Sequence, residues 1–235
     1  LVGQQISNQL INTAVLWFTV KWRPNFVFSV KKGLRLFSYG WKLLCSALLD
    51  TVYNNLYSLI IGKFYSAADL GYYNRGKQFP MLLIQNINSS IDSVLFPVLS
   101  EAQDDKERLK AMVRRSIVTS SFIIFPCMAG LAAIATPLTR LLLTDKWLPA
   151  VPFIQFCCFT YAFWPIHTAN LQAIKATGRS DIFLKLEIIK KTIGVIALCV
   201  SIPFGLYAMM WASCFSAVLS SFINASPNKK LLGYS

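Results

Sequence analysis

Apolar windows of about 20 residues recur along this chain of 235 residues, and that is the length at which an α-helix crosses a hydrocarbon core. Inside such a core every backbone amide must find its partner within a helix or a closed barrel. Charged residues make up only 14% of the sequence and apolar ones 55%. An ordinary soluble domain carries roughly a quarter charged residues. The expected fold class is therefore all-α: a polytopic membrane helix bundle of about seven transmembrane helices, not a soluble core with a surface. The chain starts at Leu1 with a span-like segment and shows no basic leader or small-residue cleavage site. It reads as a fragment cut from a longer chain, and Lys229 to Ser235 read as a loop leading onward.

The spans follow in order. Leu1–Val20 opens with Gln4, Gln5, Ser7, Asn8, Gln9, Asn12 and Thr13, too polar for a face in lipid. A basic loop follows, with Phe26, Phe28, Leu34 and Leu36 interleaved, and is expected to lie on the membrane surface. Phe37–Phe64 and Phe79–Leu99 form a hairpin whose turn is Leu70-Gly71-Tyr72-Tyr73-Asn74-Arg75-Gly76-Lys77-Gln78. Glu101–Arg115 carries mixed charges at helical spacing, as a solvated helical extension does. Ser116–Leu143 should kink at Pro126 and Pro137. Val151–Ile174 is the fifth span, Lys175–Lys191 a basic loop, and Leu186–Pro203 and Leu206–Ile223 the last two, joined by a tight turn at Pro203-Phe204-Gly205.

Most of the 23 Lys and Arg residues gather in alternate connections: Lys21, Arg23, Lys31, Lys32 and Arg35; Lys106, Arg108, Lys110, Arg114 and Arg115; Lys175, Arg179, Lys185, Lys190 and Lys191; Lys229 and Lys230. The intervening connections hold Lys63, Arg75 and Lys77, then Arg140 and Lys146. The basic side is expected to be cytoplasmic. Cations dispersed in this way remove the case for nucleic acid as a partner.

Polar groups at membrane depth are costly and mark pathways or helix seams. Lys42, Ser46, Asp50, Asn54 and Ser58 repeat every fourth residue of the second span, beside Asn55. Gln78, Gln85, Asn88, Ser89 and Asp92 share a side of the third. These stripes make either a wet groove or a hydrogen-bonded seam. Arg75, with Lys77 beside it, offers planar donors matched to phosphate. His167 is the lone histidine, with Asn170 and Gln172 nearby. The six cysteines lie in apolar segments without metal-ligand spacing and read as packing residues. No nucleophile motif, metal cluster or phosphate-cradling glycine loop occurs, so no enzyme activity and no cofactor are expected.

Leu36-Phe37-Ser38-Tyr39-Gly40, Leu49-Asp50-Thr51-Val52-Tyr53-Asn54-Asn55 and Ile60-Ile61-Gly62-Lys63-Phe64-Tyr65 resemble polysaccharide-export flippases of the Wzx type, in the multidrug/oligosaccharidyl-lipid/polysaccharide exporter superfamily. Leu70-Gly71-Tyr72-Tyr73-Asn74-Arg75, Phe96-Pro97-Val98-Leu99-Ser100 and Lys146-Trp147-Leu148-Pro149-Ala150-Val151-Pro152 continue the resemblance, as do Gly178-Arg179-Ser180-Asp181 and Leu186-Glu187-Ile188-Ile189-Lys190-Lys191. It implies a parent about twice as long, built as two lobes in the bacterial inner membrane. Residues 1–36 would be the last helix of the first lobe plus a cytoplasmic linker. Residues 37–225 would be six helices of the second lobe, and 226–235 the start of a loop. The implied substrate is an undecaprenyl-pyrophosphate-linked oligosaccharide, with a polymerase and glycosyltransferases as partners and membrane lipids around the prenyl tail. Arg75, with Lys42 or Lys77, would attract the pyrophosphate. Asn54, Asn55, Gln85 and Asn88 would bond sugar hydroxyls, and Asp50 or Asp92 would bind a coupling ion. A small-molecule antiporter of the same fold and a non-transporting scaffold for synthesis enzymes are the alternatives.

Overall fold

The computed structural model describes residues 2–20, 30–102 and 105–231. Among the described residues nine α-helices follow one another: α1 (Val2–Thr19), α2 (Val30–Phe64), α3 (Ala67–Glu101), α4 (Lys106–Ala133), α5 (Ala135–Leu143), α6 (Val151–Ala162), α7 (Trp164–Ala176), α8 (Ser180–Ser201) and α9 (Leu206–Leu231). Two 3₁₀ turns, Asp145–Ala150 and Ile202–Phe204, complete the elements. No strand occurs among the described residues. Four stretches there are long and apolar enough to cross a bilayer: Ala67–Glu101, Glu107–Ala133, Asp145–Ala176 and Leu206–Pro227. The amides of α1, the polar stripe of α2 and the charges of α8 keep those helices outside this group. The chain is an all-α, multi-pass membrane protein.

Several boundaries differ from expectation, each for a local reason. The hairpin turn is not at 70–78. Ser66 and Asp69 form a capping box, each side chain taking the other's backbone N–H, which starts α3 at Ala67. Arg75 and Lys77 thus sit on a helix, and the connection shrinks to Tyr65 and Ser66. The basic loop at 175–191 is short as well: α8 begins at Ser180, so Lys185, Lys190 and Lys191 are helical. In the remaining connection Arg179 Nε reaches Asp181 Oδ1 at 3.1 Å, which holds the Asp181 carboxyl below its usual range. The fourth span breaks at Ile134, three residues before Pro137, while α4 runs through Pro126. Proline cannot donate to the preceding turn, so the helix restarts around it. The fifth span divides at Phe163 for the same reason, with Pro165 in the first turn of α7. The extension before Arg115 is helical from Lys106 as expected, although residues 103 and 104 lie outside the described residues. The loop proposed for the membrane surface is outside them over 21–29, and α2 has begun by Val30. The turn at Pro203-Phe204-Gly205 is present, with Gly205 at φ 96°, a region that favours glycine.

The chain divides into two units, Leu1–Ser38 and Tyr39–Ser235, with the boundary inside α2. In the first, Thr13 and Thr19 of α1 return their hydroxyls to the carbonyls of Gln9 and Val15. In the second, α6 and α7 are the axis. Ile154, Cys158 and Ala162 pack with Ile84 of α3 and Ile124 and Met128 of α4. Phe153 joins Tyr57, Ile61, Tyr73, Leu198 and Met209. Ala169 and Ala173 meet Leu99, Leu109 and Val113, and Ile174 meets Phe183 and Leu186. Helix α3 presses closely on α6: a Cβ at Gly76 would collide with Phe153 Cβ and crowd the backbone of Ala150 and Ile154. Cys157, Cys158 and Cys214 pack inside, but Cys127 and Cys199 are exposed, so the packing role holds for only some of the cysteines.

Candidate functional site

The exposed faces of the second unit are of two kinds. On α4 the outward residues are Val118, Phe122 and Phe125, and on α9 they are Tyr207, Trp211, Phe215 and Phe222. Each set recurs at three-, four- or seven-residue steps, one helix face, and suits lipid. On α3 the outward face adds Asn74, Arg75, Gln78, Gln85, Asn86 and Ser89 to the apolar Leu82, Val94 and Val98. Steps of seven residues rotate a helix by only about 20°, so Gln78 and Gln85 stay aligned, as the spacing implied. A polar face on a helix of membrane length belongs against a cavity or a partner. Asn88 lies half-buried beside this face. Asp92 is on α3, but its side chain lies outside the described residues.

The α2 stripe behaves differently. A step of four residues turns a helix by about 40° beyond a full turn, so the row winds around the cylinder. Ser46 is buried and Lys42 half-buried, while Asp50, Asn54 and Asn55 are exposed. Ser58 Oγ approaches Asn74 Oδ1 of α3 at 3.4 Å. The two stripes meet there, near the hairpin tip. Farther along, each is bonded within its own helix: Asn54 Nδ2 to Asp50 Oδ2 at 3.1 Å, Asn55 Nδ2 to the Thr51 carbonyl, and Asn86 Nδ2 to the Leu82 carbonyl.

Asp50 turns to α8. Lys191 Nζ donates to its Oδ1 at 2.5 Å and lies 4.3 Å from the Tyr53 ring centroid. One turn later Gly194 opens a notch for that ring, since a Cβ there would strike it. Glu187, buried, takes Lys190 Nζ at 2.5 Å. His167 is bound to α9: Asn224 Nδ2 lies 3.0 Å from its Nδ1, and Ser221 Oγ 3.5 Å from its Nε2. Glu187, Lys190 and Lys191 were missed by sequence reasoning. Their signal was present in the Glu-x-x-Lys spacing on a helical period and in an Asp inside a span that needed a cation.

At the opposite end of α3, Arg75 Nη1 donates to Gln78 Oε1 at 2.8 Å, and its guanidinium lies 5.4 Å from the Trp147 ring centroid. Tyr72 meets Trp147 edge to face at 6.0 Å. Among the described residues Arg75 has no carboxylate partner. The turn bearing Trp147 starts at Thr144, whose φ of 77° and ψ of 167° are strained for a β-branched residue by about 1–3 kcal/mol. Arg75, Lys42, Lys77, Asn54, Asn55, Gln85 and Asn88 are thus spread along two helices and converge on no single enclosed pocket.

The family described as Polysaccharide biosynthesis protein matches residues 1–152. Teichuronic acid biosynthesis protein TuaB of Bacillus subtilis (strain 168) is 26% identical over 187 residues, 77% of this chain and 39% of that protein. Succinoglycan biosynthesis transport protein ExoT of Rhizobium meliloti (strain 1021) is 22% identical over 220 residues, 93% of this chain and 44% of its own. Lipopolysaccharide biosynthesis protein WzxC of Escherichia coli (strain K12) is 25% identical over 191 residues, 79% of this chain and 39% of its own. The chain spans about two fifths of the length of these relatives. No solved structure matches it. A multi-pass helix bundle matched to that family over residues 1–152, this chain belongs to the polysaccharide biosynthesis protein family.

Proposed function

We propose that this chain is the part of a Wzx-type flippase that lines one wall of the translocation route, and that the whole protein carries an undecaprenyl-pyrophosphate-linked oligosaccharide across the bacterial inner membrane. One observation carries the reading: α3, a helix of membrane length, turns Asn74, Arg75, Gln78, Gln85 and Ser89 outward around Leu82, where the large outward side chains of the membrane-length part of α4 and of α9 are aromatic and aliphatic. Membership of a polysaccharide biosynthesis family supports it, as does the name of ExoT, a transport protein. The protein moves its substrate and does not transform it.

Residues 1–36 are the last helix and linker of a first lobe, 37–225 the body of a second, and 226–235 a connection onward. Arg75, assisted by Lys77 and Lys42, takes the pyrophosphate. Asn54, Asn55, Gln85 and Asn88 exchange hydrogen bonds with sugar hydroxyls, and the prenyl tail stays among membrane lipids. Asp50 is the coupling carboxylate, with Asp92 the other candidate. A coupling ion bound at Asp50 would compete with Lys191 for the carboxylate and loosen α2 from α8, which changes which state of the lobe is favoured. A polymerase and glycosyltransferases supply and use the same lipid-linked chain.

The test is export of surface polysaccharide by the full-length protein carrying Arg75→Ala or Asp50→Asn. Both are expected to lower export at least tenfold at unchanged protein level. Full export by both would overturn the assignment.

A further inference from the structure

The turn Asp145–Ala150, entered through the strained Thr144, has no part in the proposed transport route, yet its Trp147 ring lies against Arg75. We propose that Trp147 is a positioning residue for Arg75: its indole holds the guanidinium at the α3 surface, set to receive a diphosphate. The proposal rests on the flippase reading and names the element that orients its leading cation.

The geometry is specific. A guanidinium over an indole face gains from the ring's quadrupole, and tryptophan is the strongest of the aromatic residues for this contact. Arg75 lies 5.4 Å from the Trp147 centroid. Gln78 Oε1 takes a single N–H, of the five that a guanidinium carries. Neither partner bears a negative charge, so both orient the cation without neutralising it. The turn's own carboxylate, Asp145, already has a cation, with Arg140 Nε 3.2 Å away. The indole is fixed in turn. Tyr72 sits edge-on at an interplanar angle of 89°, and the backbone N–H of Trp147 donates to the Thr144 carbonyl at 3.1 Å. Thr144, with its positive φ, sets the direction in which the turn leaves α5. A planar bidentate donor gains most when its fork is pre-set, because less rotamer freedom is lost on binding.

The experiment is equilibrium binding of farnesyl pyrophosphate to the full-length protein in lipid nanodiscs, with farnesyl monophosphate as the comparison. The variants are Trp147→Leu, Trp147→Phe, Arg75→Ala and the double variant Arg75→Ala/Trp147→Leu. Leucine and phenylalanine are both smaller than tryptophan, but Trp147 is only half-buried, and of the two only phenylalanine keeps a ring face. Trp147→Leu is expected to weaken diphosphate binding about tenfold and Trp147→Phe no more than about threefold. The double variant should bind as Arg75→Ala does, because Trp147 acts through Arg75. Equal binding by Trp147→Leu and wild type, or losses that add in the double variant, would overturn the proposal. If Arg75→Ala itself binds like wild type, the phosphate reading of Arg75 fails. If only Trp147→Leu does, that reading stands and the positioning role alone falls.

Discussion

Lys191 holds its ammonium between the Asp50 carboxylate and the face of Tyr53, and this contact joins residues 141 positions apart. The carboxylate alone was legible: an Asp inside an apolar span requires a partner or water. Its partner was not, because Lys191 lies where the basic run 175–191 overlaps the start of the next span, and the sequence does not say which helix that face meets. The same holds for His167, whose partners Ser221 and Asn224 lie on the last helix. Removing one member of an ion pair costs more than removing both, since the survivor keeps its desolvation without its counter-ion. Asp50 is 52% exposed, so the cost is moderate. Lys191→Met is expected to lower stability by about 1–2 kcal/mol, and the double variant Asp50→Asn/Lys191→Met to recover most of it. Thermal unfolding of the purified protein checks this, and equal losses for the single and double variants would contradict it.

Among the helices, α3 positions Arg75, Lys77, Gln85 and Asn88. The segment 70–78 contains Gly71, Asn74 and Gly76, residues that punctuate turns, and so reads as one. The competing signal was there in Ser66-x-x-Asp69, a helix-start pattern, and the structure follows it. Gly76 serves a different purpose from a turn: it lets α3 press onto the start of α6. Gly76→Ala is expected to cost about 1–3 kcal/mol, because two of the three atoms that a Cβ would meet are backbone and cannot rotate away. Denaturation within about 0.5 kcal/mol of wild type would show that the helices slide apart freely. The seven-residue spacing of Gln78 and Gln85 was legible as one face and remained one. The four-residue spacing on α2 was not, because its drift around the helix sends Ser46 inward and Asn54 outward.

For the molecule as a whole, the connections that the charge pattern assigned to one side do gather at one end of the second unit. Tyr65 Oη donates to the Ile202 carbonyl at 2.7 Å, and Tyr72 meets Trp147. The helix ends at Leu99, Leu109, Ala173 and Ala176 pack together at the other. Alternating composition made this legible, since a bundle of antiparallel passes must sort its connections into two sets. What the pattern could not give is which polar residues face lipid and which face water. That is the point on which the functional reading depends, and aqueous thiol labelling in native membranes measures it directly. Single cysteines at Gln85 and Ser89 of the full-length protein, in a background without other cysteines, are compared with ones at Phe122 and Trp211. A water-facing α3 is expected to give labelling of the first pair by a membrane-impermeant reagent and protection of the second. Protection at all four positions would contradict it and would make the polar face of α3 a seam against another helix.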